Sequence, residues 1–410
     1  MSKQIQALVF DTKKDGWDAS TGFAKRTVPM PVLNERKNSA DALSVIVKIQ
    51  YAGVCGTDRG IWRREVFRDL ILDSLARAEK TTRVLGHEFV GTVVDAGSQV
   101  KNLYDIKKGD NVSGDSHVTC GRCFQCRVGE EEVCQDQAIL GVSIDGIFAQ
   151  YVKLPAKNLW VVDFARIRPE IAAMFDPFGN AVHACSKVDM RGKRVAILGC
   201  GPIGMFTILL ARAFGAAKVI AADINGVNLA IAKRLGAHEI VRVGARPGHA
   251  ASAKKKDAPD FSPNLSSDNA AKITVDPTLD TAIRALTYNK GVDIAFEMAG
   301  PNASVNNALT ITRSGGDVIL FGLKDGDFTI PHFNRMIVKG LTIHAVIGRQ
   351  IFRTWQTSQR VLSDRKNGIQ DAIWHIILGE GKDTIIPFSS YRKEIFEKKL
   401  AAHPKILIRF

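Results

Sequence analysis

Short alternating runs mark the first 180 positions of the chain. SVIVKI (residues 44–49), FVGTVV (89–94) and residues 147–154 are rich in β-branched side chains and read as strands. Beyond residue 194 the period changes. VAILG, a glycine loop, an apolar helix over 203–214, KVIAAD and a helix through 230–235 form a βαβ unit with a further helix. HEIVRV, a helix over 279–286, VDIAFEMAG, a helix near 303–309 and DVILFGL continue the alternation, which predicts a doubly wound parallel sheet. Two segments break the rhythm. Residues 61–78 set Ile61, Trp62, Phe67, Leu70, Ile71, Leu75 and Ala78 among charges, which predicts one amphipathic helix and part of a substrate-site wall. Residues 245–272 mix Gly, Ala, Ser, Pro and Asp with Lys254, Lys255 and Lys256, lack apolar periodicity, and read as a mobile surface insertion.

A length of 410 residues exceeds what one core usually fills, so two domains are expected. The formal charge of +14 draws anions, but no base-reading motif accompanies it. Solvation and steering of an anionic coenzyme or substrate account for it, and no nucleic acid is expected. The longest uncharged apolar run, 195–211, is cut by Gly199, Gly201, Pro202 and Gly204, which reads as strand, loop and helix rather than a membrane span. MSKQIQALVF lacks the basic start and apolar core of a secretory signal. Seven cysteines, five of them placed like metal ligands, suit a reducing compartment, and the expected location is cytoplasmic.

Cys120, Cys123, Cys126 and Cys134 are spaced Cys-x2-Cys-x2-Cys-x7-Cys and form one lobe, enough thiolates to close a tetrahedral structural zinc site. A nucleic-acid ribbon would more often present two separated knuckles. Cys55 stands in GVCGTD, where Gly53 and Gly56 allow a tight approach to a metal and Thr57 adds a hydroxyl. The dull alternative is a buried small hydrophobe. His87 and Glu88, in GHE, supply an imidazole and a carboxylate that with Cys55 suit a catalytic zinc with an exchangeable position. Asp176 in DPFGNAVH is a further acidic candidate or a helix N-cap.

Gly199, Gly201 and Gly204 form a Gly-x-Gly-x-x-Gly loop between strand and helix, with Asp223 ending the next strand. Gly199 permits the turn, Gly201 lets amides reach a pyrophosphate, and Gly204 allows close helix packing. Asp223 accepts adenosine ribose hydroxyls and repels a 2′-phosphate, so NAD is expected over NADP. Cys185, Cys200 and His183 read as packing residues.

With these motifs the chain resembles the zinc-containing medium-chain alcohol dehydrogenase family over nearly its whole length. DPFGNAVH, LGCGPIGM and KGLTIHAVIGRQIFRTW look most like its threonine-oxidising branch. The resemblance implies a GroES-like β-rich catalytic domain over 1–180, a Rossmann coenzyme domain over 181–345 and a segment, 346–410, completing the first. It implies zinc ligation by Cys55, His87 and Glu88, with Asp176 close to the metal for proton relay or water-mediated coordination and Thr57 as relay hydroxyl. Ile203, Phe321, Gly322, Leu323, Val346 and Ile347 match coenzyme contacts. One catalytic and one structural Zn²⁺, NAD, a small-molecule secondary alcohol and a homotetramer follow, with L-threonine as the expected substrate and a polyol or aldose as the alternative.

The chain also departs from the family pattern. Gly60, after Arg59, stands where the family carries a relay histidine, Asn228 replaces an arginine beside the adenosine, and the interval from Cys55 to His87 is long.

Overall fold

The runs of the N-terminal part fold as ten strands in the computed structural model, which describes residues 3–244, 275–324 and 326–410. They are β1 (Gln4–Asp11), β2 (Ala24–Pro29), β3 (Ser44–Gly53), β4 (Thr82–Val84), β5 (Glu88–Ala96), β6 (Asn111–Gly114), β7 (His117–Val118), β8 (Ala138–Ile139), β9 (Tyr151–Pro155) and β10 (Leu159–Val161). β1 is the centre of a small antiparallel sheet ordered β2-β1-β4. β3 is the spine of a larger one, in which β10, β6, β5 and β3 pair in that order and β9 also pairs with β3. The inward side chains of β3, Val45, Val47 and Ile49, are buried with Phe89, Val93 and Phe148, so alternation along the strand fixes which face is core.

From residue 183 to 346 a second unit forms a six-stranded sheet. Its strands are β11 (Arg194–Leu198), β12 (Lys218–Asp223), β13 (Glu239–Arg242), β14 (Val292–Glu297), β15 (Thr312–Leu320) and β16 (Thr342–Ala345). All are parallel, in the order β13-β12-β11-β14-β15-β16, with helices Pro202–Ala213, Gly226–Arg234, Pro277–Leu286 and Asn302–Ile311 in the connections. The strand order reverses between β11 and β14, the place where such sheets bind dinucleotides.

The chain then returns to the first unit, which comprises Met1–Val182 and Ile347–Phe410. β17 (Ile385–Pro387) pairs with β18 (Leu407–Arg409), and β18 runs antiparallel to β3 with Leu407 opposite Gly53. Ahead of β18, helix Lys393–Ala402 lays Phe396 against Trp62 and Phe23, with centroids 5.0 and 6.2 Å away. The last residues thus sit directly beside the end of β3 that leads into Cys55.

Three expectations are corrected or fall outside the described residues. Residues 61–78 are not one helix: helix Gly56–Arg63 ends and helix Arg68–Arg77 begins around left-handed Arg64 (φ 64°) and Phe67 (φ 62°). Each helix buries part of the apolar stripe, Ile61 and Trp62 in one, Ile71 and Leu75 in the other, while Phe67, Leu70 and Ala78 are exposed. The strand expected over 147–154 starts only at Tyr151, since Ala149 spends its pairing on an isolated bridge to Ala7. Residues 245–272 lie outside the described residues.

Candidate catalytic and metal centres

Cys55 follows β3 and N-caps helix Gly56–Arg63, while His87 and Glu88 lie where the chain enters β5, the antiparallel neighbour of β3. Register does the assembling: Gly53 faces Glu88 across the pair, so one ligand from each strand end meets the other. Cys55, His87 and Glu88 offer one ligand atom each within 4.8 Å of one another. Gly53 is needed for that approach, because a Cβ there would stand 2.1 Å from Glu88 Oε2.

The cluster fits a divalent cation. His87 and Glu88 are buried, and among the described residues His87 Nδ1 and Glu88 Oε1 have no hydrogen-bond partner. Burial alone would lower the His87 pKa, but the charges of Asp58 and Cys55 outweigh it and raise it to about 10. A buried site that draws a proton this strongly is one in which a metal ion can replace it. Asp58 orients the loop: its Oδ2 accepts from Cys55 N at 2.8 Å, and its Oδ1 lies 3.6 Å from His87 Nδ1. Thr57 is half-buried in the first turn of the same helix. Gly60 follows on this helix, and a Cβ there would meet Val66 Cγ2 at 2.6 Å, so the family histidine has no room without moving Val66.

Asp176 is the second residue of helix Phe175–Cys185, buried, and not its N-cap. Its Oδ2 accepts from Ser116 N at 3.3 Å and lies 2.6 Å from Arg349 Nη2. Arg349 was not singled out in the sequence. It is 2% exposed, and the same Nη2 lies 2.6 Å from Asp115 Oδ1 and donates to Ser116 Oγ at 2.7 Å, while Nη1 donates to Asn180 Oδ1 at 3.3 Å. Trp355 Nε1 donates to the other Asp115 oxygen at 3.0 Å. Burial works against the Asp115 charge, but Arg349 and His117 hold its carboxyl below the ordinary range; at Asp176 burial wins and pushes the carboxyl up against the pull of Arg349. The available signal was a single arginine in the apolar run AVIGRQIF.

The second cysteine cluster is local. Cys120, Cys123, Cys126 and Cys134 offer sulfurs within 4.8 Å of one another. Cys120 Sγ accepts from Cys123 N at 3.3 Å, and Cys134 Sγ accepts from Cys120 N at 3.3 Å. Amides from Cys126 and Gln135 pull the Cys123 thiol down to about 6, whereas burial and the neighbouring sulfurs push Cys126 up to about 12. Four thiolates so close cannot all ionise without a cation, and four sulfur donors suit Zn²⁺.

In the second unit Gly199 adopts φ 95°, and a Cβ on Gly204 would stand 2.0 Å from Gly199 O, so both glycines are required by the turn and its helix. A Cβ on Gly201 would meet nothing within 4 Å, which leaves open space above the N-terminus of helix Pro202–Ala213 where a pyrophosphate fits. Ile203 is half-buried in that first turn. Asp223 ends β12 and is tied to the loop, accepting from Cys200 N at 2.6 Å and Asn225 N at 2.7 Å. Asn228 donates to Asp223 Oδ2 at 3.4 Å, so it steadies the carboxylate where the family has an arginine. Phe321 and Gly322 donate their amides to Glu297 O, and Leu323 is exposed. Val346 is buried, donating to Leu320 O at 3.0 Å, and Ile347 is exposed. Cys185, Cys200 and His183 are buried; burial pushes both thiols far up.

Comparison with known proteins gives the family and the fold. Residues 41–163 match the alcohol dehydrogenase GroES-like domain and residues 202–364 the zinc-binding dehydrogenase family. The L-threonine 3-dehydrogenase of Bacillus licheniformis is 33% identical over 376 residues, 92% of this chain and 92% of its own length. That of Pseudoalteromonas translucida is 34% identical over 311 residues, 76% of this chain and 79% of its own. Among solved structures, the alcohol dehydrogenase TADH from Thermus sp. ATN1 superposes with a TM-score of 0.73 at 22% identity, covering 98% of this chain and 99% of its own. Galactitol-1-phosphate dehydrogenase from Escherichia coli gives 0.71 at 24% identity, covering 99% and 100%. Both structures share the fold.

Proposed function

Because the chain belongs to the zinc-containing medium-chain alcohol dehydrogenase family, with a GroES-like domain and a Rossmann domain, we propose that it oxidises the β-hydroxyl of L-threonine with NAD. The products are 2-amino-3-oxobutanoate, NADH and a proton. The observation that carries the reading is the convergence of half-buried Cys55 with buried His87 and Glu88, their ligand atoms within 4.8 Å of one another, with Asp176 held in the same unit by Arg349.

Cys55, His87 and Glu88 would hold the catalytic zinc, and when bound it would supply a Lewis acid that lowers the pKa of the alcohol. Thr57 takes the hydroxyl proton onward, and Asp176 is the second proton acceptor near the metal. NAD bound at the glycine loop would supply the acceptor for the hydride that the substrate C–H bond gives up as the carbonyl forms. The glycine loop holds the pyrophosphate, and Asp223 holds the adenosine ribose and excludes a 2′-phosphate. The residues given to the nicotinamide side are Phe321, Gly322, Leu323, Val346 and Ile347. Cys120, Cys123, Cys126 and Cys134 bind the structural zinc. The assembly is a homotetramer, and seven cysteines that form no disulfide, five of them given to zinc, suit the cytoplasm. Among the described residues no helix is long and apolar enough to cross a membrane.

A polyol or aldose dehydrogenase is the second reading, favoured by Gly60 in place of the relay histidine. The deciding experiment is NAD reduction by the zinc-loaded protein with L-threonine, L-serine, D-threonine, sorbitol, glucose, galactose and butane-2,3-diol. Preference for L-threonine is expected; preference for a sugar or polyol transfers the assignment to the second reading. Cys55→Ser should abolish turnover and leave the circular dichroism spectrum unchanged.

A further inference from the structure

Lys405 is 1% exposed, a rare place for an ammonium group. Its Nζ donates to Glu88 Oε2 and, at 3.1 Å, to Val54 O, the carbonyl immediately before Cys55. The chain is fastened on both sides of it. Arg59, on the helix that Cys55 caps, donates to the carbonyls of Leu400, His403 (2.7 Å) and Pro404 (3.0 Å). On the far side Val54 N donates to Ile406 O at 3.1 Å and β18 joins β3. Arg59 therefore fixes the approach to Lys405 from the helix that carries Thr57.

Such a pair is not explained by stability. Taking both charges out of water costs several kcal/mol per ion, about what their attraction returns, and an apolar pair of similar volume is often as good. What the pair does change is the metal cluster. Cys55, Asp58, Glu88 and Asp176 bring four acidic groups to one buried region, and Arg349 is shared between Asp176 and Asp115. Lys405 is the cation that faces Glu88, and it occupies Oε2 while Oε1 is unpartnered among the described residues.

We propose that Lys405 is a positioning residue of the catalytic metal site: it holds one oxygen of Glu88 and would leave the other for a metal ion bound at Cys55 and His87. The inference rests on the dehydrogenase reading above. It also gives Arg59 a task, the placing of Lys405, at the point where the family pattern is broken.

The test compares wild type, Lys405→Met and Lys405→Arg after Co²⁺ is loaded in place of the catalytic zinc. Without substrate, the Met variant should show a changed visible ligand-field spectrum and slower metal release to a chelator. Its turnover should fall about tenfold, with the midpoint of the pH–rate profile moved up. Lys405→Arg should restore the spectrum and the midpoint. A Met variant with the wild-type spectrum, metal release rate and pH midpoint, changed only in melting temperature, overturns the inference. If the Met variant does not fold, Lys405→Gln, which keeps a donor for Glu88 without the charge, is the second probe: its pH midpoint should also move up, by less, and a wild-type spectrum, metal release rate and midpoint in it overturn the inference. Wild type that shows no Cys55-dependent Co²⁺ band and no alcohol oxidation defeats the dehydrogenase reading instead, a distinguishable result.

Discussion

Arg349 is held by residues far from it in sequence: Asp115 and Ser116, at the end of β6, and Asp176 and Asn180, on one helix. Removing it leaves two buried carboxylates facing each other, so Arg349→Met should destabilise the first unit by about 3–5 kcal/mol, seen as a lower calorimetric transition. Adding Asp115→Asn should recover part of that loss, because one orphaned charge goes with it; a double variant as unstable as the single one would remove the electrostatic explanation. Asp223 makes the opposite case. Its carboxylate is oriented by the amides of Cys200 and Asn225, so Asp223→Asn keeps an acceptor and loses the charge. Preference for NAD over NADP, as the ratio of kcat/KM values, should then fall about tenfold, the effect of ~1.4 kcal/mol. Asp223 could be found in the sequence because its setting is local, a glycine loop and the end of the next strand. Arg349 and Lys405 could not, because a buried cation is meaningful only through partners that tertiary pairing brings to it. Lys405 meets Glu88 only because β18 comes home to β3.

At the level of elements, the cysteine lobe shows what short spacing can specify. Fifteen residues bring four sulfurs together with amides donating to them, and the spacing alone announced it. If zinc occupies the lobe, its thiols should be slow to react with a disulfide reagent in the native protein. Chelation should expose these four together with Cys55, while Cys185 and Cys200 stay unreactive until the chain unfolds, since burial raises both thiols far above neutral pH. Counting reactive thiols before and after chelation, with the melting temperature alongside, checks this; four fast thiols in the native zinc-loaded protein would contradict it. The helical reading of residues 61–78 was less successful for a physical reason. Apolar spacing does not register a break in the backbone: Ile61, Trp62, Ile71 and Leu75 are buried from two short helices around left-handed Arg64 and Phe67, while Phe67, Leu70 and Ala78, counted on the same stripe, are exposed. Arg64 is placed by its own contacts, its guanidinium donating to Gly22 O at 2.8 Å and to Ile61 O at 2.7 Å and lying over the Phe10 ring. Those partners, too, are invisible to a pattern of apolar spacing.

At the scale of the whole molecule, the edge of the parallel sheet is the feature with a consequence for assembly. β16 pairs with β15 on one side, and among the described residues nothing pairs with its other side. Ile343 on this strand is 41% exposed, and on the helix before it Ile337 is 68% and Val338 85% exposed. An apolar strand edge beside an apolar helix is a liability in a monomer, and proteins that keep one generally cover it. A second copy is the simplest cover. A two-fold axis would bring the same strand from each chain side by side in antiparallel sense, continuing the sheet and covering both helices. Light scattering should then give a multiple of the 44.8 kDa chain, four by the family pattern. Ile343→Lys combined with Val338→Glu places unpaired charges in that contact and should release smaller species, leaving the Cys55 cluster untouched because it belongs to the other unit. A wild-type protein that runs as one chain at micromolar concentration would refute the edge pairing. An unchanged assembly in the double variant would place the interface elsewhere, with the exposed lobe residues Phe124 and Val128 the next surface to alter.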